Sequence, residues 1–243
     1  MTARDEILAK VKNALGRGDA APSDRLSDDS LNDHSPLPLP PHTSPSPQQI
    51  ALECEAQRDV LIAEFEAMLT RAGGYFTVAN QAQTVVEYIA EIAARVKAKK
   101  AVGWHSPLLE QLGVAARLAE LNIEWITDVA GADKAGFIRE AAEASIGITA
   151  ADYALADSGT LCLLAGKRQP RTASLLPPIH VAILRPEQII RGLDDLFALL
   201  PVGDDLSSAV TLITGPSRTA DIELTLVVGV HGPQQLHVIL AND

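Results

Sequence analysis

YFTVANQAQTVVEYIAEIAARVKAKKAVGW, from Tyr75 to Trp104, is the stretch on which the architecture turns. Behind the Gly73-Gly74 pair, residues 75–79 are aromatic and β-branched over a short run, which reads as a strand. Val85, Val86, Ile89, Ile92, Ala93 and Val96 then recur at the spacing of one helical face, and residues 101–104 are apolar again. The stretch therefore predicts a strand, a helix packed by one face, and a second strand.

The same alternation extends both ways. Upstream, Ile50, Cys54, Leu61, Phe65, Met68 and Leu69 mark one helix from Gln48 that stops at Gly73 and Gly74. Downstream, Ser106 offers a cap and Pro107 a first helical position for a helix ending near Asn122. Residues 123–126 read as the next strand, followed by a helix through Phe137 and Ile138. Helices and strands alternating in this way predict an α/β fold, an open and mostly parallel sheet with helical crossovers. Residues 145–149, 153–157 and 160–165 leave no room for helices between them and are expected to form an antiparallel meander attached to that sheet. Further strands are expected at 179–184, 210–214, 225–230 and 236–240, with a helix from Pro186 through Leu199.

The front of the chain is organised differently. Residues 1–18 place Ile7, Leu8, Val11 and Leu15 on one face of a short amphipathic helix. Residues 19–47 are rich in Asp, Ser and Pro and hold seven of the fifteen prolines, so they read as a mobile linker to a domain spanning 48–243. The first seventy residues carry twelve acidic and six basic side chains. Such an arm is either a docking element for a partner or a helix packed on its own domain.

Composition narrows the function. With 243 residues, 47% of them hydrophobic, the chain can build one sizeable core. No apolar run is long enough to span a bilayer, and MTARDEILAK carries charges where a signal peptide needs its apolar centre, so a cytoplasmic protein is expected. A net charge of -11 argues against nucleic acid or an anionic membrane as partner. The dense basic cluster Lys97, Lys99 and Lys100 reads as a complement to the carboxyl end of a helix.

Cys54 and Cys162 are the only cysteines, too few for an iron-sulfur cluster or a four-thiolate zinc site, and Cys162 is expected to be buried. No pair of histidines has metal-ligand spacing, and neither a metal nor a cofactor is expected. His180 and His237 lie inside apolar strands as core or edge residues.

The densest polar chemistry is in GPSRTADIELTLVVGVHGP, residues 215–233, where two Gly-Pro turns flank an apolar run. Gly215 and Pro216 admit a close backbone approach, and the N–H groups of a new helical turn at Ser217 and Thr219 would favour a small anion. Arg218 can grip a carboxylate or phosphate, or one of the protein's own carboxylates. Asp221 and Glu223 share a face on a strand, with Glu223 either an acid-base group or nucleophile, or part of a structural network. His231, beside Gly232, either moves a proton near neutral pH or bonds the turn backbone. Asp157-Ser158-Gly159-Thr160 offers hydroxyl and N–H donors in a tight turn, and a plain hairpin uses similar residues. Lys167, Arg168 and Arg171 form a basic loop that either covers an acidic ligand or is simply solvated.

ADYALADSGTLCLL (151–164), ITGPSRTADIE (213–223) and GVHGPQQLHVIL (229–240) resemble, in order and spacing, the lactate-utilisation protein C family of LUD-domain proteins. The likeness extends over residues 48–240 and omits the proline-rich linker. It implies a sheet related to the ribose-phosphate isomerase, glucosamine-phosphate deaminase and coenzyme A transferase group. It also implies service in oxidation of L-lactate to pyruvate beside an iron-sulfur protein and a second subunit, this chain being the non-redox component that binds ligand or partner. By position, the family's motif residues fall on Gly159, Thr160, Gly215, Pro216, Ser217, Thr219, Asp221, Glu223, Gly229, His231, Gly232 and Pro233. The fold group allows an alternative, a stand-alone acyl- or nucleotide-handling enzyme like the coenzyme A transferases or formyltetrahydrofolate cyclo-ligase. Glu223 would then be its reactive carboxylate.

Overall fold

The computed structural model describes residues 45–127, 134–166, 169–200, 207–220, 226–228 and 232–242. The expected amphipathic helix, residues 19–44 of the linker expected over 19–47, the basic pair Lys167 and Arg168, and the site residues Asp221, Glu223, Gly229 and His231 lie outside them, and the last linker position, Pro47, is already helical.

The described chain opens on a capped helix. Ser46 Oγ accepts from the Gln49 amide while Gln49 Oε1 accepts from the Ser46 amide, and Pro47 takes the first helical position. Where one helix is expected there are two, α1 (Pro47–Ala56) and α2 (Arg58–Arg71), because Gln57 leaves helical geometry at φ -116°. Then follow β1 (Tyr75–Ala79), α3 (Ala82–Arg95) and β2 (Lys100–Gly103). The next expected helix also divides, at Gly113, into α4 (Pro107–Gln111) and α5 (Val114–Glu120). Ser106 stands at the start of α4, but its side chain makes no capping bond. β3 (Glu124–Thr127), α6 (Lys134–Glu143) and β4 (Ile146–Ala150) complete the first half.

β5 (Tyr153–Leu155) and β6 (Thr160–Ala165) form a hairpin, followed by the single turn α7 (Thr172–Leu175) and β7 (Ile179–Leu184). The helix expected from Pro186 to Leu199 is instead a 3-10 turn (Pro186–Gln188), the two-residue strand β8 (Ile189–Ile190) and α8 (Leu193–Leu199). β9 (Ala209–Ile213), β10 (Arg218–Ala220), β11 (Leu226–Val228) and β12 (Gln235–Ala241) follow.

Six strands form one sheet in the order β1-β12-β7-β4-β2-β3, and every neighbouring pair is parallel. Residues 146–150, expected to open the meander, lie in the middle of this sheet between β2 and β7. Burial gives the reason: β4 is covered on both faces, as central parallel strands are, and reads as a continuous apolar run like any buried strand. The meander is a second sheet, β8-β5-β6-β9, antiparallel except for the β5–β8 pair. Helices cover both faces of the parallel sheet. Val102 packs with Phe137, Ala141, Ala144 and Ala173 on one side, whereas its neighbour Ala101 joins the larger cluster around Phe65, Ile89, Leu118 and Ile148.

Electrostatics reinforce the same layers. Lys100 reaches Glu140 and Glu143 in the last turns of α6, so of the basic cluster it is this lysine that meets the carboxyl end of a helix. Its two carboxylate partners hold the ammonium well above its usual range. Among the described residues, no helix is long and apolar enough to cross a membrane.

Candidate functional site

A crevice of about 390 Å³ opens beyond the carboxyl ends of β2, β4 and β7. Ser106, Pro107, Leu108 and Gln111 reach it from the segment after β2, Ala150, Ala151 and Asp152 from the end of β4, and Arg185, Glu187 and Gln188 from the turn after β7. The position follows from the topology. From β2 the chain turns outward to the edge strand β3, and from β4 it turns the other way, through the second sheet to β7, so the connections part company at that point. Open α/β sheets form their ligand crevices where neighbouring connections diverge in this way.

Three polar side chains shape the crevice. Gln188 ties two of its walls together: Oε1 accepts from the Arg185 amide at 2.6 Å, and Nε2 donates to the Ala151 carbonyl at 2.6 Å. Arg185 Nη2 donates to Gln111 Oε1 at 2.6 Å, which draws the guanidinium toward the α4 side. Arg185 Nε is buried without a hydrogen-bond acceptor, and among the described residues no carboxylate lies within ion-pair reach of this guanidinium. Asp152 Oδ2 accepts from the Leu164 amide at 2.7 Å, and burial pushes its carboxyl above the usual carboxylate range. A half-buried cation with no protein counter-charge and a carboxyl displaced from its usual pKa suit an anionic ligand that also carries a hydroxyl or carbonyl.

None of these residues is a motif that announces itself in sequence. Arg185 and Asp152 are single polar residues within two positions of a strand's end and Gln188 closes the turn before β8, so the one signal available is nearness to a buried apolar run.

The residues singled out in the sequence assemble elsewhere, near the amino ends of β1 and β12. Gly159 turns at φ 64° with its α-carbon pressed on the Met68–Leu69 backbone of α2. Thr160 Oγ1 is 3.0 Å from Thr214 Oγ1, so the turn before β6 meets the end of β9. Gly215, at φ 154°, passes close to the Ala72 carbonyl, and Pro216 and the Arg218 guanidinium lie beside Gly73, just before β1. The Ser217 amide donates to the Pro233 carbonyl at 2.8 Å, and Gly232 packs against the Ser217 side chain. Gly159, Thr160, Gly215, Pro216, Ser217, Arg218 and Gly232 therefore share one region.

One expectation about that region changes. Arg218, Thr219 and Ala220 form the strand β10, paired antiparallel with β11, so no helical N-terminus follows Gly215. β9 belongs to the antiparallel sheet, so the loop after it is not at the carboxyl edge of the parallel one.

The two buried histidines are structural in the expected sense. His180 bonds Thr149 Oγ1 through Nε2 at 2.9 Å, and burial lowers its pKa to about 3. His237 bonds Tyr88 Oη and Gln235 Oε1 and stacks on Tyr75; burial, with Arg95 nearby, brings its pKa to about 4. Cys54 and Cys162 are both free and buried. Among the described residues no group of His, Cys, Asp and Glu could hold a metal ion.

Comparison with known proteins adds the lineage. A protein named Lactate utilization protein C from Geobacillus sp. (strain WCH70) is 31% identical over 99% of this chain and 96% of its own length. Another of that name from Halalkalibacterium halodurans is 35% identical over 64% of this chain and 68% of its own. The crystal structure of a DUF162 family protein from Deinococcus radiodurans superposes with a TM-score of 0.52 over 76% of this chain and 98% of that one, and at 21% identity it speaks for the fold. The LUD domain profile matches residues 62–241, from within α2 to the end of β12. Matched over most of its length by that profile and over nearly all of it by a lactate utilization protein C, the chain belongs to the LUD domain family.

Proposed function

We propose that this chain serves lactate utilisation as the non-redox component of a system that oxidises L-lactate to pyruvate. The observation that carries the reading is the 31% identity to a lactate utilization protein C across almost the whole of both chains. The chemistry is compatible. Two cysteines cannot ligate an iron-sulfur cluster, so the two electrons removed from lactate pass to a separate iron-sulfur protein, with a second subunit completing the system. This chain contributes binding: an anion crevice at Arg185, and the assembly of Gly159, Thr160, Gly215, Pro216, Ser217, Arg218 and Gly232 as a second surface for ligand or partner, with Thr219 and Asp221 as further binding residues. Glu223 and His231 are the acid-base groups of this reading. The system works in the cytoplasm.

Growth of a deletion strain on L-lactate tests the reading. Loss of growth, restored by the full chain, is expected, together with co-purification of an iron-sulfur protein from lactate-grown cells. Undiminished growth on L-lactate would overturn it.

A further inference from the structure

We infer that the crevice beyond β2, β4 and β7 binds a small 2-hydroxy or 2-oxo carboxylate, with the carboxylate on Arg185 and the 2-oxygen at Asp152. The inference rests on the proposed role in lactate utilisation for the choice of acid, and on the geometry for the site itself.

Arg185 is the anomaly that points to a ligand. A half-buried guanidinium keeps part of its desolvation cost when no counter-charge pairs with it, and proteins ordinarily supply one. Arg191 shows the paired state in the same fold: Asp195 and Glu53 both bind it. Arg185 instead has the neutral Gln111 amide, which orients the guanidinium while forming no ion pair with it, and leaves Nη1 and the second N–H of Nη2 for a ligand. Two parallel N–H bonds from such a fork match a carboxylate.

Asp152 supplies the discrimination. One of its oxygens is fixed by the Leu164 amide, and its backbone is anchored by the bond from Gln188 Nε2 to the neighbouring Ala151 carbonyl. Its carboxyl can accept from a 2-hydroxyl when ionised or donate to a 2-oxo group when protonated. A plain carboxylic acid satisfies Arg185 but gives the second Asp152 oxygen no partner, which is how sites reject an analogue lacking a hydroxyl. At about 390 Å³ the crevice exceeds what such an acid fills, leaving room for waters at ~30 Å³ each. A longer side chain on the acid is therefore tolerated.

Titration calorimetry of the full chain with L-lactate, pyruvate, 2-hydroxybutyrate, propionate and inorganic phosphate is the test. The three acids with a 2-oxygen are expected to bind, propionate about tenfold or more weakly, and phosphate without displacing them. Arg185→Gln should remove binding, Arg185→Lys weaken it by about tenfold through loss of the fork, and Gln111→Ala weaken it by a few-fold with the guanidinium intact. Thermal melts check that each variant folds, and Gln111→Ala, at an exposed position, keeps the test open should the arginine variants unfold. No saturation by any 2-oxygenated acid at about 10 mM, where a ligand with a Kd near 1 mM would saturate, overturns the inference. So does binding indifferent to Arg185→Gln and Gln111→Ala, or displacement by phosphate. Arg185-dependent binding with normal growth of the deletion strain would sink the lactate-utilisation role alone; failed growth without binding would sink the crevice alone.

Discussion

The Ser217 amide donates to the Pro233 carbonyl at 2.8 Å, and this one bond closes the two Gly-Pro corners onto each other. The Gly215-Pro216 corner lies against Ala72 and Gly73, just before β1, and the Gly232-Pro233 corner leads into β12, so the assembly forms at the amino edge of the sheet. The Arg185 crevice opens at the carboxyl edge. The protein thus has two separate polar regions, one built of turns that press on α2 and one built of side chains that face open space.

The hairpin turn at Gly159 should tolerate no side chain. A Cβ there would come 2.6 Å from the Met68 carbonyl carbon, and the residue already sits at φ 64°. Gly159→Ala is expected to cost about 2–4 kcal/mol of stability in urea denaturation. A change under about 0.5 kcal/mol would show that the turn does not bear on α2.

Asp195 should behave as a buried carboxylate held by a partly exposed guanidinium. Asp195 is 4% exposed, with Oδ2 accepting from Arg191 Nε at 2.8 Å and Oδ1 from Nη2 at 2.6 Å. Asp195→Ala leaves the partly exposed guanidinium with Glu53 alone and is expected to destabilise by about 1.5–2 kcal/mol in the same assay, through the lost charge-assisted hydrogen bonds. Glu53→Gln, which removes only the exposed partner, should cost about 1 kcal/mol or less.

Stability should fall on mild acidification. The folded pKa of His180 is about 3 and of His237 about 4, both below the ordinary 6.5, so the unfolded chain binds more protons below about pH 6.5. Their contribution is complete above that pH and is lost as pH drops toward 4, at up to ~1.4 kcal/mol per histidine per pH unit. Asp152 acts oppositely, since its raised carboxyl pKa favours the folded chain as it protonates. Urea midpoints across this range should decline, and His237→Gln should flatten the decline; an unchanged slope in that variant would remove His237 from the account.

Neither cysteine should react in the folded protein. Cys162 is fully buried, with burial and nearby Asp152 pushing its thiol up to about 12, and Cys54, also raised by burial, is 5% exposed. A thiol reagent at about pH 8 should label neither until urea is added, when both react. Rapid labelling of the native chain would show that the α1 or β6 packing opens.

Periodicity carried most of the fold. The 75–79 and 179–184 strands coincide with β1 and β7, because an apolar run bounded by glycine or proline leaves few alternatives. Periodicity did not distinguish β4 from the hairpin beside it, since a fully buried strand looks the same in either kind of sheet. Helix breaks at Gln57 and Gly113 were also missed, as the apolar spacing continues across both. At the site, linked turns identified Gly159, Thr160, Gly215, Ser217 and Gly232 as a group, whereas Arg185, Gln188 and Asp152 carried no pattern.

Local chemistry in the chain, then, determined the α/β class, the parallel sheet, the burial of His180, His237 and both cysteines, and the family. Only tertiary structure decided which strands are neighbours, that the Gly-Pro corners meet at the amino edge, and that Arg185, in no ion pair among the described residues, lines a crevice. The physical reason is range: periodicity and turn chemistry act over a few residues, while pairing and desolvation of a charge depend on segments as distant as Gln111 and Arg185.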